Sequence, residues 1–263
     1  MDINYYYAGT NEKPLDRITD DGGFCAIFRT ICCIGDSLAS GEFETMNESG
    51  EKHYYDFYEY SWGQYIARMT GSKVWNFSRG GMTAQEYCDS FAEANRCWDI
   101  QKASQAYIIA LGVNDLMWQN YPLGNVEEVV CEQRGDKITF AAYYGEIIRK
   151  IRKLNPESKI FLVTMPHDEA DTEDRDKKKR NHADLLHNIA KEMENVWVID
   201  LYQYAPVYDQ KFKEHFFLNG HMNAQGYILT AKMIASYIDY IIRMDTEAFQ
   251  DTPFIGTGIS HER

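Results

Sequence analysis

The sequence predicts an α/β/α sandwich built on a parallel sheet of five strands. Three observations predict it. Five short apolar runs carry continuous rather than alternating hydrophobicity, as in strands covered on both faces. The stretches between them repeat apolar residues at helical spacing. No internal repeat, linker or second core interrupts the alternation, so the 263 residues form one domain.

The elements follow in order. Residues 1–23 are polar and tyrosine-rich without periodicity, an N-terminal extension packed on the domain. The first strand is expected in Phe24–Ile34, FCAIFRTICCI, which ends at Gly35. Further strands are expected at Lys73–Phe77, Ala106–Leu111, Lys159–Met165 and Val196–Leu201, from their length and β-branched content. Helices are expected over Thr139–Leu154, stopped by Asn155-Pro156, and over Asp171–Glu194, which opens with acidic residues as the helix dipole favours. A third spans Ala224–Arg243, with Asn223 as N-cap. The domain runs over 24–243, and residues 244–263 read as a C-terminal tail on the surface.

Composition excludes several classes. A net charge of -13 repels phosphate backbones and anionic lipid, so neither nucleic acid nor a membrane is an expected partner. No apolar stretch approaches the length that spans a bilayer. The first residues lack a basic region followed by an apolar run, so no secretory signal is expected. None of the six cysteines forms a CxxC pair. Cys32 and Cys33 are adjacent in a strand and point to opposite faces, and buried thiols in a reducing cytoplasm are the expected state. Oligomeric state is left open.

In open α/β sheets ligands bind at the carboxyl ends of the strands, and there the unusual residues gather. The first strand is followed by Gly35-Asp36-Ser37-Leu38, the second by Ser78-Arg79-Gly80-Gly81, the third by Gly112-Val113-Asn114-Asp115 and the fourth by Pro166-His167-Asp168. A longer loop after the fifth holds Asn219-Gly220-His221-Met222-Asn223. One edge of the sheet thus collects a nucleophile, glycine turns that free backbone N–H groups, an amide donor and a base.

These residues, in this order, resemble the SGNH, or GDSL-type, esterase and lipase family, over essentially Phe24 to Arg243. Gly35-Asp36-Ser37-Leu38 is similar to the nucleophile block. Asn76, followed five residues later by Gly81, resembles the second block. Gly112-Val113-Asn114-Asp115 resembles the third, and His221-Met222-Asn223 with Gly226-Tyr227 the histidine block. The resemblance implies a flavodoxin-like strand order 2-1-3-4-5. It implies a serine esterase in which Ser37 is the nucleophile, His221 the base, and the N–H groups of Ser37 and Gly81 with the Asn114 side chain the oxyanion hole. Neither cofactor nor metal is implied. The expected substrate is a small or carbohydrate-linked carboxylic ester such as an acetylated sugar.

The sequence departs from the family at one place. The aspartate usually found three residues before the histidine is Leu218 here. The imidazole must then be oriented by a backbone carbonyl near Leu218, by Asn219, or by a displaced carboxylate such as Glu214. The carbonyl is favoured, because it can fix the tautomer. A position near a helix N-terminus would disfavour protonated His221. The alternative reading is a scaffold whose catalysis is weakened by the missing acid and which binds a carbohydrate or other ligand. A nucleotide-binding domain fits poorly, since no GxGxxG or GxxxxGK[ST] string follows the first strand.

Other features carry plainer readings. His182 and His187 are five apart on a helix and face different ways, against a shared metal. The charge run Asp168–Arg180 reads as a solvated helix start, and His167-Asp168-Glu169 as a polar loop that could border the site. His215 is assigned no role. The aromatic segment Glu42–Gly63 is expected to bury its rings in packing, with a pocket wall as the second reading.

Overall fold

The computed structural model of the chain describes residues 3–260. Its central sheet consists of β1 (Thr30–Gly35), β4 (Lys73–Ser78), β5 (Ala106–Ala110), β6 (Lys159–Val163) and β7 (Val196–Ile199), in the order β4-β1-β5-β6-β7. All four pairings are parallel. In sheet-strand numbering this is 2-1-3-4-5. Two further strands, β2 (Glu42–Met46) and β3 (Lys52–Asp56), form an antiparallel hairpin outside the sheet. β8 (Phe217–Leu218) and β9 (His221–Met222) make a short ribbon before the last helix.

Helices cover both faces, and the side-chain alternation of β1 shows the two cores. Cys32 and Ile34 pack with the helix Phe140–Leu154, while Ile31 and Cys33 pack with the helix Ala224–Met244. Continuous apolar strands are needed because neither face meets water. The caps lie close to where the sequence places them. Thr139 accepts from Ala142 N–H, Thr172 from Arg175 N–H and Asn223 from Gly226 N–H.

Three expectations need correction. The run from Phe24 is not all strand: Gly23–Ile27 is a 3-10 turn, and β1 begins at Thr30. Gly22 and Gly23 take positive φ, and the Phe24 N–H donates to the Asp239 carboxylate at 2.8 Å. The 3-10 turn thus packs on the last helix, and Phe28 beyond it meets Phe161 and Phe249 edge-on. The residues after Met244 are not simply a surface tail, since Phe249 and Ile255 are buried and Phe249 stacks on Phe161 and Trp197. The aromatic segment also largely fails to bury its rings. Trp62 is in the core, but Tyr54, Tyr55, Phe57, Tyr58 and Tyr60 are each roughly half exposed, because most of the segment is a hairpin with only part of its surface against the domain.

The N-terminal extension is held by charge. Arg243, almost fully buried on the last helix, donates to both Glu12 carboxylate oxygens at 2.8 and 2.5 Å and to Asp239 at 2.8 Å. Glu12 is held below the usual carboxylate range, chiefly by the Arg243 hydrogen bond. Removing one partner of such a cluster leaves buried charge uncompensated. Arg243→Ala is therefore expected to lower stability by about 3–5 kcal/mol in urea unfolding, and to expose the segment before Gly22 to limited proteolysis.

Candidate active site

Each loop at the carboxyl edge of the sheet is fixed by a specific local contact. After β1, Asp36 caps a single helical turn, Ser37–Ser40, by accepting the Leu38 N–H at 3.0 Å. As the first residue of that turn, Ser37 has an N–H without an intrahelical acceptor. Burial pushes the Asp36 carboxyl up to about 6, against the Leu38 hydrogen bond and the nearby His221. Asn76 on β4 braces the same turn, its amide donating to the Ala39 carbonyl at 3.0 Å. After β4 the chain reverses at Gly81, whose φ of +73° suits glycine.

The third loop is tied to the second. Asn114 Nδ2 donates to the Met82 carbonyl at 3.0 Å, and the Ala84 N–H donates to Asp115 at 2.9 Å. An amide nitrogen carries two hydrogens, so Asn114 keeps one for a ligand. Burial raises Asp115 to about 7. Gly112, at φ +130°, leaves room for His182, whose Nε2 would lie 2.8 Å from a Cβ there. His182 is fully buried, and burial pushes it down to about 4.

These loops surround one cleft of about 660 Å³. Ser37, Gly81, Asn114 and His221 all line it, with Glu42, Tyr54, Trp118, Asp168 and Lys213 among their neighbours. Asp168 is paired with Lys213 at 2.6 Å. His167 is drawn to Asp176 at 3.1 Å, His187 pairs with Asp200 at 2.8 Å, and the His215 ring faces the Lys211 carbonyl at 2.7 Å. Among the described residues no group of three or more His, Cys, Asp or Glu could hold a metal, and no helix is long and apolar enough to cross a membrane. The six cysteines are free thiols.

The surroundings of His221 differ from expectation. Nδ1 faces the Glu44 carboxylate at 3.4 Å, and Nε2 lies 3.0 Å from Glu42 Oε1. The favoured carbonyl near Leu218 is thus replaced by a side chain. Of the other candidates, Glu214 accepts from Gln210 at 2.9 Å, and Asn219 donates to the Glu44 carbonyl at 3.2 Å. Glu44 also accepts the Gly220 N–H at 3.0 Å and pairs with Lys52 at 2.6 Å. Burial alone would raise Glu44, but Lys52, His221 and Gly220 hold it below the usual range. The helix N-terminus does not set the protonation of His221 either. Burial pushes the imidazole down, the two glutamates push it up, and the net shift is upward.

Sequence reasoning missed both glutamates, although a signal was present. Alternation in β2 puts Glu42 and Glu44 on one face and Phe43 on the other. Across the hairpin Glu42 pairs with Asp56, Glu44 with Tyr54, and Met46 with Lys52. The turn was legible: Asn47 accepts the Ser49 and Glu51 N–H groups, and Gly50 takes φ +81°.

With this geometry in view, the sequence profile of the GDSL-like Lipase/Acylhydrolase family matches residues 33–229, well over half of the chain. The chain belongs to that family. Membership makes it a carboxylic ester hydrolase by class. No curated protein sequence matches it. Several solved structures share its fold. A possible lipase from Chitinophaga pinensis DSM 2588 is 19% identical with a TM-score of 0.51, over 81% of this chain and 97% of that one. A family two carbohydrate esterase from Clostridium thermocellum, solved with cellohexaose, is 15% identical with a TM-score of 0.58, over 88% and 66%. An acetyl xylan esterase is 16% identical with a TM-score of 0.52, over 80% and 99%.

The raised pKa of His221 has a consequence for stability. A histidine whose folded pKa exceeds its unfolded value contributes fully below about pH 6.5, and the contribution is lost as pH rises through the folded pKa. The excess thermal stability of wild type over His221→Gln is therefore expected to be largest below about pH 6 and to shrink through neutral pH, as followed by circular dichroism melts.

Proposed function

We propose that the protein hydrolyses small or carbohydrate-linked carboxylic esters through an acyl-enzyme on Ser37. The observation that carries this reading is the meeting of Ser37, Gly81, Asn114 and His221 in one cleft at the carboxyl edge of the sheet. His221 Nε2 takes the Ser37 hydroxyl proton as Oγ attacks the ester carbonyl, and a tetrahedral oxyanion forms. The Ser37 and Gly81 N–H groups and the second Asn114 amide hydrogen stabilise it. His221 then gives its proton to the leaving alcohol. Water attacks the acyl-enzyme by the same route in reverse, releasing the acid and restoring Ser37.

Glu44 takes the role that an aspartate three residues before the histidine would otherwise have. It faces Nδ1, favours the tautomer with a hydrogen there, and its charge supports the imidazolium formed during attack. At 3.4 Å the contact is longer than an ideal charge-assisted hydrogen bond, as is common before substrate binds.

A carbohydrate leaving group is supported by the cleft's aromatic surfaces. Trp118 is two-thirds exposed, with the Arg175 guanidinium over its ring, and Tyr54 stands beside His221. The esterases of similar fold named for carbohydrate and acetyl xylan point the same way. Binding without hydrolysis is the second reading, favoured by the Glu42 carboxylate on Nε2.

The test is hydrolysis of p-nitrophenyl esters and acetylated xylo-oligosaccharides by purified protein, with fluorophosphonate labelling in parallel. Ser37→Ala is expected to abolish both turnover and labelling, and residual esterase activity in that variant would overturn the reading. A folded wild type that neither labels nor hydrolyses any ester would favour the binding scaffold. Asn114→Ala is expected to lower kcat by about 10²–10³-fold with little change in KM. Glu44→Gln should lower kcat by roughly 10²-fold or more, while Glu214→Gln leaves kcat unchanged.

A further inference from the structure

Glu42 takes no step in the chemistry above, yet it is the carboxylate closest to His221. Its Oε1 lies 3.0 Å from Nε2, the nitrogen that must receive the Ser37 proton. The side chain is nearly buried, and the backbone that carries it is held on two sides. The Glu42 carbonyl accepts the Tyr227 hydroxyl at 2.5 Å, and Glu42 is paired with Asp56 across the hairpin. Its carboxylate lies so close to Gly80 that a Cβ there would collide with it. Asp56 in turn accepts from the Ser40 hydroxyl. Among the described residues, Ser37 Oγ makes no hydrogen bond to His221.

We propose that Glu42 is a positioning residue that holds a proton on His221 Nε2, and so sets the pH below which the base is out of service. This rests on the reading of Ser37 and His221 as nucleophile and base.

The chemistry follows from donor and acceptor counts. An imidazolium donates from both nitrogens and satisfies Glu42 and Glu44 together, whereas a neutral ring has one N–H. If that hydrogen stays on Nε2, Glu42 keeps it and the ring cannot accept from Ser37. If it lies on Nδ1, the Nε2 lone pair faces carboxylate lone pairs, the Glu42 contact becomes repulsive, and Nε2 is released toward Ser37. Glu42 therefore favours both incompetent forms over the competent one.

Other groups face the same ring. Glu44 comes from β2 beside Glu42, with Lys52 of β3 neutralising part of its charge. Tyr54 of β3 lies edge-on, with ring centroids 5.7 Å apart. The buried Asp36 at the nucleophile turn interacts with His221 through space. Among the described residues only Glu42 is paired with Nε2, so its removal isolates the effect.

The test compares wild type with the near-isosteric Glu42→Gln in the full chain. His221 is titrated by ¹⁵N NMR, assigned with His221→Gln, and kcat/KM for p-nitrophenyl acetate is measured from about pH 5 to about pH 9. The His221 midpoint and the acid limb of kcat/KM are both expected to fall by about 1 pH unit. The variant should then be about tenfold more active than wild type on the acid side. An unchanged or raised midpoint overturns the proposal. So does loss of activity at every pH from a folded variant, which would put Glu42 in the chemical steps. The titration needs no turnover, so a protein inactive on all esters sinks the hydrolase reading while still reporting the Glu42 effect on His221. Should Glu42→Gln fail to fold, Glu42→Asp withdraws the carboxylate by one methylene and must move the midpoint in the same direction.

Discussion

Glu44 is almost withdrawn from water, and a buried carboxylate is costly unless its oxygens are met by donors or positive charge. Here the Lys52 ammonium, the Gly220 N–H and the His221 ring meet them. The three partners come from two separate parts of the chain, the β2–β3 hairpin and the loop before the last helix. Satisfying one carboxylate therefore fastens the hairpin to the histidine loop. A Cβ on Gly220 would force the Glu44 carboxylate to shift, so a side chain there would disturb its contact with the neighbouring His221.

The sheet edge beneath supplies the other half of the site. The loops after β1, β4 and β5 are cross-tied by side chain to main chain: Asn76 to Ala39, Asn114 to Met82, and Asp115 to Ala84. These are short polar contacts made where buried backbone groups need partners. They hold Ser37, Gly81 and Asn114 on the wall of one cleft. Rigid elements below and cross-tied loops above keep that wall in one arrangement, the condition on which the proposed stabilisation of an oxyanion depends.

Much of this was legible in the sequence. The continuous apolar runs gave the five sheet strands and, with the family resemblance, their order. The blocks around Ser37, Gly81, Asn114 and His221 are recognisable from local spacing, so they could be read one at a time. What escaped depends on distance. Glu44 meets His221 across 177 positions, and nothing near His221 in sequence announces it. Leu218 in place of an aspartate left open what orients the ring, and proximity in sequence drew attention to a carbonyl near Leu218, to Asn219 and to Glu214, which turns away to Gln210. The 3-10 turn at Gly23–Ile27 was missed because an apolar run does not distinguish a strand from a segment lying on a helix.

Glu42 and Glu44 reach His221 because they occupy alternate positions of a single strand. Sliding β2 by one residue against β3 would present Phe43 and Thr45 in their place, and the imidazole would lose both carboxylates at once. The turn at Asn47–Gly50 fixes that register while standing at the far tip of the hairpin. An insertion or deletion there that shifted the pairing would strip both carboxylates from His221 without altering any residue of the cleft, so a solvent-facing turn governs what surrounds the imidazole.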